Sequence, residues 1–198
     1  MRRYLIIGIV LVGTLIVYLE FYHLRPEQKR IYFIPLGDLP SATLQELTNY
    51  YKQKYGLAIE ILPAATMKPW VMDYRRRQLI AEELIGQMKQ DYSDLAQDRA
   101  VILIGITSQD MYIREYRWQF AFSWRQENRF AVVSSARMDP VFFRRRGNDA
   151  IRQTRLRKMI TKNIGLMYYG YFQSSDPKSV LYSAVLGIDD LDKIGEDF

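Results

Sequence analysis

The sequence predicts a three-layer α/β sandwich with a mostly parallel, twisted sheet and one antiparallel edge strand, preceded by an N-terminal transmembrane helix. Three observations point there. Apolar runs of strand length alternate with helical patterns from residue 31 onward, which is the signature of parallel strands joined by crossover helices. One long apolar stretch lies near the start. A chain of 198 residues, 48% hydrophobic, has room for a single such domain beside an anchor and for little else. The expected organisation is an anchor at 1–23, a linker at 24–30 and one domain at 31–198.

Leu5 to Leu19 reads LIIGIVLVGTLIVYL, with Thr14 its only polar side chain and aromatic residues at Tyr4, Phe21 and Tyr22. As a helix, residues 4–22 reach about 28 Å, enough to cross a hydrocarbon core. No Ala precedes Ala42, so a small-x-small cleavage site is missing and an uncleaved single-pass anchor is expected, with the domain on the extracytoplasmic side.

Within the domain, Ile31 to Leu36 (IYFIPL) reads as a strand. Pro40, Ser41 and Thr43 then open a helix whose apolar positions are Leu44, Leu47, Tyr50, Tyr51 and Tyr55, and Gly56 ends it. Leu57 to Leu62 alternates as a second strand, and a helix is expected from about Asp73 to Tyr92. Ala100 to Ile106 is apolar throughout, as a strand buried on both faces would be. Trp118 to Ser123 and Phe130 to Ser135 read as a hairpin joined by WRQENR. Asn148 to about Tyr169 reads as one long helix with its core stripe at Ile160, Ile164, Met167, Tyr168 and Tyr171.

The smallest counts exclude the most chemistry. Zero Cys removes disulfides, thiolate metal sites and Cys nucleophiles, and His23 is the single imidazole, placed beside the expected anchor. Ser134 and Ser135 have no nucleophile elbow around them and no base to activate them. Asp189, Asp190, Asp192 and Glu196 read as a solvated helix rather than a hard-metal site. The net charge is +6, and the sequence pI near 9.4 follows largely from two basic clusters. Arg75, Arg76 and Arg77 form one; Arg144, Arg145, Arg146, Arg152 and Arg155 lead the other, read as a solvated face or as a patch for anionic lipid, with nucleic acid disfavoured.

Four stretches in order, IYFIPLGDLP, YGLAIEILP, DYRRRQLIAEELIGQM and FAFSWRQENRFAVVSSARM, resemble segments of the archaemetzincin family of zinc metallopeptidases. The resemblance implies a metzincin-like sandwich with a substrate cleft. It breaks at the zinc motif. On the register fixed by Gly165, Lys162, Leu166 and Phe172 stand where the family has three His, Asn163 replaces the Glu general base and Gln173 replaces a Cys. Val180 and Leu181 before Tyr182 occupy the place of the Met-turn. A protonated Lys has no lone pair, Leu and Phe have no donor atoms, and Asn is no base near neutral pH, so no metal or other cofactor is expected.

The resulting expectation is a membrane-anchored protein that is not an enzyme and binds a peptide or protein partner in the former substrate cleft. Trp118, Phe120 and Phe122 would supply an uncharged edge strand for the peptide, and Lys162 a fixed positive charge favouring an acidic group on it. A peptidase with carboxylate ligands and a basic lipid- or nucleic-acid-binding module stand as the alternatives.

Overall fold

The computed structural model describes residues 28–183 and 185–198. Its centre is a five-stranded sheet. Strand β1 (Arg30–Pro35) leads into helix α1 (Ser41–Tyr55), and β2 (Ile59–Ile61) returns parallel to β1 on its outer side. On the other side of β1 lies β5 (Val101–Thr107), also parallel. β8 (Phe130–Ser134) adds a fourth parallel strand, and β7 (Ser123–Gln126) closes that edge antiparallel, giving the order β2-β1-β5-β8-β7.

Alternation along the strands sorts their side chains into two cores. Ile31, Phe33, Ile102, Ile104 and Ile106 face Leu44, Leu47 and Tyr51 of α1 and Leu156, Ile160 and Ile164 of α4 (Asp149–Met167). Ile34, Val101, Leu103 and Val132 face Leu84, Ile85 and Met88 of α2 (Ala81–Asp91). Phe33 and Ile104 are fully buried, and each such side chain contributes about 1.5–3 kcal/mol. The result is the expected three-layer sandwich with a mostly parallel sheet.

The helix ends follow local chemistry. Gly56 takes φ 66° and its N–H returns to Lys52 O at 3.1 Å, a left-handed stop that a side chain would strain. The Asn148 side chain accepts the Ile151 N–H at 3.1 Å to start α4. Lys29, in the expected linker, donates to Met167 O at 2.7 Å and so satisfies a carbonyl at the other end of α4.

Two expectations change. The helix placed at Asp73 to Tyr92 begins only at Ala81. Before it, β3 (Met72–Asp73) and β4 (Gln78–Ile80) form a hairpin that joins β6 (Met111–Tyr112) in a second, three-stranded sheet. The cause is local: Asp73 Oδ1 accepts the Arg75 and Arg76 N–H groups at 3.0 and 3.1 Å, and Arg77 turns back with φ 55°. The strand placed at Trp118 to Ser123 begins only at Ser123, and residues 113–122 form a loop. The acidic segment forms α5 (Ile188–Lys193) after the short α3 (Ser93–Gln97) earlier in the chain, and α5 docks on α4 through Leu191 while Asp189 and Asp192 stay exposed.

The expected membrane location is also corrected. Among the described residues no helix is long and apolar enough to cross a membrane. The segment on which that expectation rested, residues 4–22, lies outside the described residues, as does His23.

Candidate functional site

Helix α4 carries Lys162, Asn163 and Leu166, three of the positions that the resemblance sets against the zinc motif, while Phe172 and Gln173 lie beyond its end. Its face toward the sheet is apolar, but Lys158, Lys162 and Asn163 are buried on it, 7%, 4% and 0% exposed. Buried polar groups need partners. Lys158 Nζ donates to Leu191 O at 3.1 Å and Asp192 O at 2.9 Å, and Lys162 Nζ donates to Tyr182 O. One helical turn apart, the two ammonium groups thus hold the backbone of the chain's last segment against α4. Asn163 donates to Ser123 Oγ at 2.9 Å and Met159 O at 2.8 Å, while its Oδ1 accepts from Arg125 Nη1 at 3.2 Å.

Burial, with a smaller contribution from the Arg125 charge, pushes the Lys162 amine down to about 8. Burial likewise lowers Arg125.

Lys162 lies on the wall of a cavity of about 530 Å³. Trp118, Phe120 and Phe122 also line it, so all four residues expected to bind a peptide meet in one place. Phe122 is only 4% exposed and packs edge-on against Phe120, ring centres 5.1 Å apart. Trp118 stacks on Tyr116 at 4.6 Å, and the Arg137 guanidinium lies 4.2 Å from the Phe120 ring centre. Arg137 is itself fixed by Asp110, through Nε to Oδ1 at 2.9 Å and Nη2 to Oδ2 at 2.8 Å. Sequence reasoning missed Arg117, Arg125 and Ser123, which line the same cavity. Period-two alternation would have found Arg125: Ser123 and Arg125 pair with Val133 and Ala131, whose side chains face α4.

The open edge expected at Trp118 to Phe122 is mostly closed from within. Arg76 Nη2 donates to Gln119 O at 2.8 Å, Gln78 Nε2 donates to the same carbonyl at 2.9 Å, and Arg76 Nη2 also reaches Trp118 O at 3.3 Å. Ala121 N–H donates to Met111 O at 2.9 Å, and Phe122 O accepts from Ser134 N–H at 2.9 Å. A ligand would meet the side chains of this segment, not a free strand edge.

The remaining candidates separate. Arg144, Arg145 and Arg146 are exposed on a loop. Arg152 is paired with Asp149 at 2.9 Å and lies 3.8 Å from Asp139, and Arg155 is buried, with Nε and Nη2 each 2.7 Å from Asp192 and Nη1 2.8 Å from Met138 O. These five do not form one exposed patch, because two of them are structural. Asp192, read as solvated, is held below the usual carboxylate range by those bonds from Arg155.

The residues at the motif positions do not fit zinc. Lys162 points its amine at a carbonyl, Leu166 offers carbon only, and Phe172 is 91% exposed. Among the described residues no group of three or more His, Cys, Asp or Glu could hold a metal ion. Gly165 serves packing here: a Cβ on it would stand 2.5 Å from the Phe198 ring and 2.8 Å from Leu181.

No family model matches the chain. An archaemetzincin from Haloquadratum walsbyi is 24% identical over 135 residues, covering 67% of this chain and 74% of the relative. The crystal structure of the archaemetzincin from Archaeoglobus fulgidus, complexed with malonate, superposes with a TM-score of 0.66 at 20% identity over 85% of this chain and 94% of that one. The chain is archaemetzincin-like. A zinc-dependent peptidase from Methanocorpusculum labreanum superposes with a TM-score of 0.70 at 15% identity, over 85% of this chain and 95% of its own. This overturns the expectation that the archaemetzincin-like chain is not an enzyme. The proteins it matches are named as archaemetzincins or as a zinc-dependent peptidase, and the misfit at three zinc positions does not establish loss of activity.

Proposed function

We propose that the chain binds a peptide, or an exposed peptide segment of a protein partner, in the cavity between the 113–122 loop and α4. The observation that carries this reading is the convergence of Trp118, Phe120, Phe122 and Lys162 on one cavity of about 530 Å³. That volume is ordinary for a ligand site, and the mixture of aromatic wall and sparse polar floor is what such sites use for affinity and orientation. The fold likeness adds a second support, since one structural neighbour is named as a peptidase and so handles peptides. Recognition runs through side-chain packing on the aromatic wall, because the loop's own backbone groups are largely taken.

The test is selection of a random peptide library on the full chain, followed by affinity measurement on Phe120→Ala. Phe120 is half-buried and lies over Arg137, so its loss opens the wall without removing a core residue. Selected peptides should bind about tenfold more weakly, the scale of one well-packed aromatic contact. Peptides that bind Phe120→Ala and Trp118→Ala as tightly as the wild type would refute the assignment to this cavity.

A further inference from the structure

We infer that the cavity recognises a carboxylate on its peptide and that Arg125 and Lys162 together bind it. This rests on the peptide-binding reading and names what the ligand must carry.

The argument is one of unbalanced charge. Three cationic side chains, Arg117, Arg125 and Lys162, line the cavity, and no Asp or Glu does. Three other partly buried arginines are each paired with an acid, while Lys158, like Lys162, bonds to backbone carbonyls. Arg137 has Asp110, Arg155 has Asp192, and Arg152 has Asp149. Arg125 and Lys162 have no acidic partner among the described residues, although Lys162 is buried and Arg125 is half-buried. Desolvating two like charges side by side is costly, and the cost persists until an anion enters.

The donors are also incompletely used. Lys162 spends one of its three N–H groups on Tyr182 O, and Arg125 spends one of five on Asn163 Oδ1. Those two bonds orient the side chains: Asn163, pinned by Ser123 and Met159 O, holds the guanidinium, and the Tyr182 carbonyl holds the ammonium. The remaining donors face a cavity whose other wall is aromatic. An oxyanion with an apolar neighbour matches this, and a peptide offers it either as its C-terminal carboxylate or as an Asp or Glu side chain.

The experiment uses the unmodified full chain and four peptide libraries: free-acid or amidated C-termini, each with or without Asp and Glu. Peptides bearing a carboxylate should be enriched, and converting that group to an amide should weaken binding at least tenfold. Enrichment only in the free-acid libraries identifies the C-terminus as the source; enrichment that needs Asp or Glu identifies a side chain. In Arg125→Gln and Lys162→Met the ratio of acid to amide affinity should fall about tenfold. Enriched peptides that bind equally as acid and amide and contain no Asp or Glu overturn this inference and leave the peptide-binding reading standing. Enrichment from none of the libraries overturns both. The acid-to-amide comparison needs no variant, so an unstable Arg125→Gln does not protect the proposal.

Discussion

Lys162 shows what a single residue does when a basic group is placed on a buried helix face. Its folded pKa, about 8, lies below the 10.5 of an unperturbed lysine. Between those values the unfolded chain holds more protons than the folded one, so stability rises with pH across that window. The penalty is fully present below about pH 8 and fades toward 10.5. The Arg125 charge bears on the amine, Arg117 lines the same cavity, and Lys158, one turn earlier and also lowered by burial, is present in both wild type and variant. Wild-type stability relative to Lys162→Met should therefore climb between pH 8 and 10, measured by thermal melts at several pH values. A difference that stays flat, or falls, contradicts the burial of this charge. Lys162 and Asn163 were legible as departures from a motif, whereas Arg125 was not. WRQENR looks like a six-residue turn, but only Glu127 and Asn128 take positive φ, 55° and 51°, so Trp124 to Gln126 are strand and Arg125 points at α4.

At the scale of elements, α4 is held on one side by the sheet and on the other by the chain's last segment. Among the contacts that fasten that segment are Lys158 to the end of α5, Arg155 to Asp192, Lys162 to Tyr182 O, and Phe198 against Gly165. Phe198 also meets Tyr55 at 5.4 Å and Tyr169 at 5.3 Å between ring centres, tying α1 to the end of α4. Gly165→Ala should cost about 1–3 kcal/mol through overpacking, and much of that cost should vanish in the Phe198→Ala background. Chemical denaturation of the four proteins in the cycle measures it; additive effects would show that the ring does not sit over Gly165. Helices α1 and α4 were readable because stop and start signals bracket long periodic stretches. The β3-β4 hairpin was not, since its strands are two and three residues long and its turn is made by the Asp73 side chain. Arg76 and Gln78 of that hairpin then hold the 113–122 loop, which is why an apparently open strand edge is a cavity wall instead.

For the whole molecule, the largely parallel character of the sheet was legible from strands alternating with helices, and the burial of β5 on both faces from its unbroken apolar run. The cavity was not, since its walls come from a loop, an edge strand, a helix and the last segment, separated by up to about 70 residues. It forms where the sheet's antiparallel edge meets α4. The central claim is that peptides bind there, and hydrogen exchange of the full chain with and without a selected peptide tests it most directly. The account predicts slowed exchange concentrated in residues 117–125 and in the segment around Ser183, with the exposed 142–146 loop unchanged. Protection at that loop, or none in residues 117–125 under saturating peptide, would contradict it.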